Sequence, residues 1–180
     1  MMKRDFDFIF ELVSDFFERR NIQKGLRLIN QYDVTGWEVW LQIEFSCFLT
    51  EHESQPKWWR EEAIEYDYRS EKEKYFLKPD FIIRKKGWRT DSYAALEMKQ
   101  HRESGSCINN MVKDMVRVAK ARRSELDIRS YWAIGVMERE SKSEVRSKLE
   151  ERIDTTNLDL VDSCVEMRVI PNTRHMYLLF

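Results

Sequence analysis

The stretch KPDFIIRKKGWRTDSYAALEMKQ, Lys78 to Gln100, decides how the chain is read. FLKPDFIIR and SYAALEMK have the aromatic, β-branched and small apolar residues of two strands, and KKGWRTD between them has the glycine and polar residues of a turn. Side chains two apart in a strand point the same way, so Glu97 and Lys99 share a face with Tyr93 and Ala95, while Ala94, Leu96 and Met98 share the other. A hairpin register that pairs Arg84 with Tyr93 sets Asp80 opposite Glu97. Carboxylates facing each other across a ladder repel, so positive charge must lie between them, and Lys99 or a divalent cation would serve. Mg²⁺ needs only one or two carboxylates and leaves its other positions to water and substrate phosphate. The plain alternative is a salt-bridge ladder on a hairpin surface. Two features weigh against it: Pro79 removes a ladder donor at the strand start, and Glu97 and Lys99 interrupt the apolar run at its very end.

Outward from this hairpin, helical spacing of Ile9, Leu12, Val13 and Phe16 predicts a first helix over residues 5–20, and Asn21 to Gln31 predicts a second, broken near Gly25. Thr35-x-x-Glu38 has the form of a capping box and starts a third helix. AIEYDYR, residues 63–69, alternates as a strand and completes a three-strand meander. A helix in INNMVKDMVRVAKARR buries Ile108, Met111, Val112, Met115, Val118 and Ala119, and SYWAIGVME follows as a strand covered on both faces. A helix near Ser143 to Thr155, with Val145, Leu149 and Ile153 inward, leads to the strands VEMRVI and HMYLLF. The expected class is α/β, a central mixed sheet flanked by helices with an added N-terminal helical segment.

With 180 residues, only five Gly and three Pro, and no repeat or low-complexity linker, the chain reads as one domain: helices over 1–34, a core over 35–137, and a helix with strands over 138–180. Three cysteines, odd in number and without CxxC spacing, point to reduced thiols and a cytoplasmic setting. No apolar run approaches the roughly 20 residues that span a bilayer. His52, His101 and His175 are too scattered for a metal triad, and no glycine-rich loop suggests nucleotide binding. A net charge of −1 does not announce a nucleic-acid binder, although bases cluster at residues 84–89 and 113–123.

Pro79-Asp80, sixteen intervening residues, then Glu97-Met98-Lys99 resembles the PD-(D/E)XK nuclease superfamily, whose fold is restriction-endonuclease-like. The resemblance covers about residues 35–137. It implies Mg²⁺- or Mn²⁺-dependent hydrolysis of DNA phosphodiesters, RNA not being excluded, by an endonuclease that leaves a 5′ phosphate and works as a homodimer or larger assembly. It implies Asp80, Glu97 and the Met98 carbonyl as metal ligands and Lys99 as the catalytic residue that positions the attacking water or stabilises the developing charge. It also implies a glutamate from the preceding helix. Glu38 is the natural end of the capping box, whereas Glu44 lies on the stripe Trp37, Leu41, Glu44, Phe48, so Glu44 is the expected ligand.

Substrate contacts are expected from Gln100, from Lys113, Arg117 and Lys120 at i, i+4 and i+7 of the following helix, and from Lys85, Lys86 and Arg89 beside Trp88 in the hairpin turn. Each group also reads as an ordinary solvated surface. The Gln-x-x-x-Tyr spacing of the recombination-type exonucleases in this superfamily is absent between Ser104 and Ser124. A nuclease-like domain that binds nucleic acid or assembles without cutting is the second reading, and an α/β domain whose motif is coincidental is the third.

Overall fold

A computed structural model describes residues 2–62, 78–120 and 127–180. Three helices come first: α1 (Met2–Glu18), α2 (Arg20–Gln31) and α3 (Glu38–Glu51). Then follow β1 (Lys57–Arg60), β2 (Phe81–Arg84), β3 (Ser92–Gln100), α4 (Ser104–Lys120) and β4 (Asp127–Glu138). The chain continues with α5 (Lys142–Asp154), a 3₁₀ turn at Asp162–Cys164, β5 (Glu166–Val169) and β6 (His175–Leu179). The six strands form one sheet in the order β1-β2-β3-β4-β6-β5, with β3 and β4 parallel and the other neighbours antiparallel. This is an α/β architecture with a central mixed sheet flanked by helices. No described helix is long and apolar enough to cross a membrane.

Each face of the sheet has its own apolar cover. The stripe of α1, with Ile9, Leu12, Val13 and Phe16 all buried, joins Leu26 of α2 and Leu41, Phe45 and Phe48 of α3 over Ile83, Leu96, Met98, Ile134 and Leu179. On the other face Cys107, Ile108, Met111 and Val112 of α4 and Val145, Leu149 and Ile153 of α5 cover Ala133, Met137, Met176 and Leu178. Strand β4 is thus buried on both sides, as a continuous apolar run requires. Gly135 lets α4 approach it closely, because a Cβ there would meet Met111 Sδ and lie 2.8 Å from Cys107 Sγ.

Three expectations change. Helix α2 runs unbroken through Gly25, whose missing side chain makes room for the Trp40 indole of α3. Helix α3 starts at Glu38 rather than Thr35: Gly36 turns the chain at φ +68°, and the N-cap, Trp37, has no side-chain bond to give, so no capping box forms there. The capping box that does form is Ser141 with Glu144, at the start of α5. The partner of β2 is β1, pairing Lys57 with Arg84 through Arg60 with Phe81; the strand expected at 63–69 lies outside the described residues.

The hairpin register is the one the sequence implies. Phe81 faces Leu96, Ile82 faces Ala95 and Ile83 faces Ala94, which extends to Asp80 opposite Glu97. Because α4 carries the chain back to a parallel β4, the C-terminal ends of β3 and β4 lie at the same end of the sheet.

Candidate functional site

Beyond Phe81 the β2 ladder stops, and the Asp80 side chain takes over from it. Its Oδ2 accepts the Met98 N–H at 2.7 Å, while the Asp80 N–H reaches Glu97 Oε2 at 3.4 Å. Glu97 Oε2 also accepts the Tyr131 hydroxyl at 3.0 Å, and Glu97 Oε1 holds Lys99 Nζ at 2.7 Å. From α4, Asp114 Oδ2 lies 3.0 Å from Lys99 Nζ, and its Oδ1 lies 3.3 Å from Arg117. Glu38, at the start of α3, accepts the Gln100 N–H through Oε2 at 3.2 Å and stands 3.9 Å from Lys99. Four acids therefore gather around Lys99 at the end of β3, and the carboxylates of Glu97 and Asp114 are only 12% and 16% exposed.

Burial, and secondarily the Glu97 carboxylate, pushes Asp80 up from its usual range to about 7. Burial likewise raises Glu38, with Lys99 pulling the other way. For Lys99, burial alone would lower the value, but Glu97, then Asp114 and Asp80, outweigh it and hold the ammonium above the ordinary lysine range. Burial and Glu97 raise Tyr131, so its hydroxyl stays a donor to Glu97. The site has an excess of negative charge with one ammonium at its centre.

The structure brings together Asp80, Glu97, Lys99 and the Met98 main chain, with Gln100 beside them. It does not bring Glu44. That carboxylate faces α2, where it accepts from Asn21 Nδ2 at 3.0 Å, and Glu38 takes the position at the site. The reason is the late start of α3: without a capping box to complete, Glu38 is free to turn toward β3. The hairpin turn is also remote. Lys85, Lys86 and Arg89 lie beyond the other end of β3, and the seven steps from Ser92 to Lys99 span roughly 23 Å at about 3.3 Å each. Trp88 there is occupied, edge-on to Phe8 and under Arg129, whose guanidinium carbon is 4.0 Å from the ring centroid. Lys113 and Arg117 are exposed on α4, Arg117 already paired with Asp114; the Lys120 side chain lies outside the described residues.

Two members of the site escaped the sequence reading. Asp114 carried a signal: it stands three residues after Met111 and four before Val118, on the edge of the α4 apolar stripe, where a carboxylate needs a partner. Tyr131 carried none, since its reach to Glu97 depends on the β3–β4 register that sets it beside Ala95.

Among the described residues no group of three or more His, Cys, Asp or Glu side chains is placed to hold a metal ion. Glu38 and Asp114 reach Lys99 instead of the Asp80–Glu97 pair, which leaves a two-carboxylate donor set. That set suits a hard divalent cation completed by water and phosphate, and it does not suit a closed all-protein cage. Comparison with protein-family models, curated proteins and solved structures found no match for this chain.

Proposed function

We propose that the chain is a Mg²⁺- or Mn²⁺-dependent endonuclease of restriction-endonuclease-like fold that hydrolyses DNA phosphodiester bonds. One observation carries the reading: just beyond the β2–β3 ladder the Asp80 N–H reaches Glu97 Oε2 at 3.4 Å, and the Lys99 ammonium lies 2.7 Å from Glu97. The order α3, three-strand meander, α4, parallel β4 supports it, because that is the order of the PD-(D/E)XK core. Asp80, Glu97 and the Met98 carbonyl would hold the cation, which when bound supplies a Lewis acid and lowers the pKa of water. Tyr131 fixes the orientation of Glu97. Lys99 presents its ammonium where negative charge develops on the phosphate, and the protein fixes it in place beforehand. Lys113 and Arg117, exposed on α4, would be the contacts to backbone phosphates. With one such site among the described residues, cutting both strands calls for two copies.

A second reading is a nuclease-like binding or assembly module without catalysis. It is favoured by the way Lys99 and Tyr131 already satisfy Glu97, and the Met98 N–H satisfies Asp80.

The test incubates the wild type, Lys99→Ala, Glu38→Gln and Glu44→Gln with plasmid, linear and single-stranded DNA and with RNA, in Mg²⁺, Mn²⁺ or EDTA. The expected result is metal-dependent DNA cleavage that falls by at least about 10²-fold in Lys99→Ala, weakens in Glu38→Gln and survives in Glu44→Gln. Folded wild-type protein that neither cuts nor binds Mn²⁺ would overturn the reading in favour of the second.

A further inference from the structure

Lys99 has two anionic partners of different standing. Glu97 Oε1, at 2.7 Å, belongs to its own strand; Asp114 Oδ2, at 3.0 Å, comes from α4. Glu97 is contested. It faces Asp80 and accepts from Tyr131, and any cation that it binds competes with Lys99 for the same carboxylate. An ammonium left without an anion in a part-buried site is driven toward solvent. Glu38, at 3.9 Å, is too far for a hydrogen bond and makes only a looser ion pair with Lys99.

Asp114 has no such competing duty toward the Asp80–Glu97 pair. Its second oxygen is held by Arg117 at 3.3 Å, which leaves Oδ2 free to face Lys99. The helix beneath it is fixed: Met111, one turn earlier, is fully buried against Gly135 of β4. Cys107, Ile108 and Val112 anchor the same helix, so α4 does not depend on the Asp114 ion pair to stay in place.

We infer that Asp114 is the positioning residue of Lys99, keeping the ammonium in the site when Glu97 is drawn to another charge. The consequence for catalysis rests on the nuclease reading; the geometry does not.

The test follows acetylation of Lys99 by peptide mass spectrometry in the full chain, comparing wild type, Glu97→Gln, Asp114→Asn, Glu97→Gln/Asp114→Asn and Glu97→Gln/Asp114→Glu. Here Glu97→Gln stands in for a Glu97 engaged elsewhere and needs no metal. Lys99 should stay within about twofold of wild type in Glu97→Gln, react about tenfold faster in the Asn double variant, and be slowed again in the Glu double variant. Release of Lys99 by Glu97→Gln alone, or no release in the Asn double variant, would overturn the inference. On DNA, Asp114→Asn should lower kcat by about 10- to 100-fold with KM within about twofold, and Asp114→Glu should restore part of it. Wild-type-like kcat in Asp114→Asn would overturn the role in catalysis. A wild type that cuts nothing would sink the nuclease reading, while the labelling would still decide whether Asp114 holds Lys99.

Discussion

At position 80 the chain holds a carboxylate that is costly to ionise. Its folded value of about 7 lies above the ordinary 3.8, so between these pH values the folded protein holds a proton that the unfolded chain has released. The Asp80 contribution to stability is therefore most favourable below the lower value, declines as pH rises toward 7, and is fully unfavourable above it. Asp80→Asn keeps an acceptor for the Met98 N–H and removes the charge. It should raise unfolding stability at pH 8 by about 1–3 kcal/mol, a gain that closes near pH 4; thermal melts across that range would show it, and an equal gain at both ends would refute it. Glu38 and Glu44 show what can be read at this scale. The stripe through Trp37, Leu41 and Phe48 showed that a carboxylate at 44 needs a partner, and it has one, Asn21. Periodicity could not show whether that partner was a cation site or a neighbouring helix.

Among the elements, the helices with a clean apolar stripe were the most legible. The buried faces of α1 and α5 are the ones their spacing implies, since 3.6-residue periodicity directly reports which side meets a core. Gly25 was misread because a glycine in a helical run signals a break and a close approach equally well. The two predict opposite results for alanine. At Gly25 an added methyl meets the Trp40 ring, so Gly25→Ala should cost about 1–3 kcal/mol as overpacking. At Gly105 in α4 nothing lies within 4 Å of the added Cβ, so Gly105→Ala should be neutral or stabilising by up to about 1 kcal/mol. Urea unfolding of the pair would check this, and a stable Gly25→Ala would reject the helix contact. Strand β1 was missed for another reason: KWWR is short, with Trp58 half-buried beside Phe81 and Trp59 41% exposed over Tyr93, too brief an alternation to separate from a loop.

Across the whole molecule, one buried ion pair ties the N-terminal helix to the centre of the sheet. Asp5, only 1% exposed, accepts from Arg129 Nε at 2.8 Å and from its Nη2 at 2.9 Å. Arg129 in turn covers Trp88. Removing one partner of such a pair leaves the other charge buried, so Asp5→Ala should cost about 3–5 kcal/mol, far more than the loss of an exposed pair such as Lys3 with Asp7. Chemical denaturation of Asp5→Ala and Asp7→Ala decides it; equal, small losses would mean that the pair does not clamp α1. The sequence by itself determined the α/β class, the apolar stripes of α1 and α5, the strands β2 to β6 and the hairpin register that puts Asp80 opposite Glu97. All of these follow from local periodicity and from the alternation of side chains along a strand. Only the tertiary structure decided that Glu38 and not Glu44 reaches the site, that Asp114 and Tyr131 hold Lys99 and Glu97, and that Asp5 closes on Arg129. Those contacts join residues as far as 124 positions apart, and their geometry is set by how helices and strands pack, which no local pattern encodes.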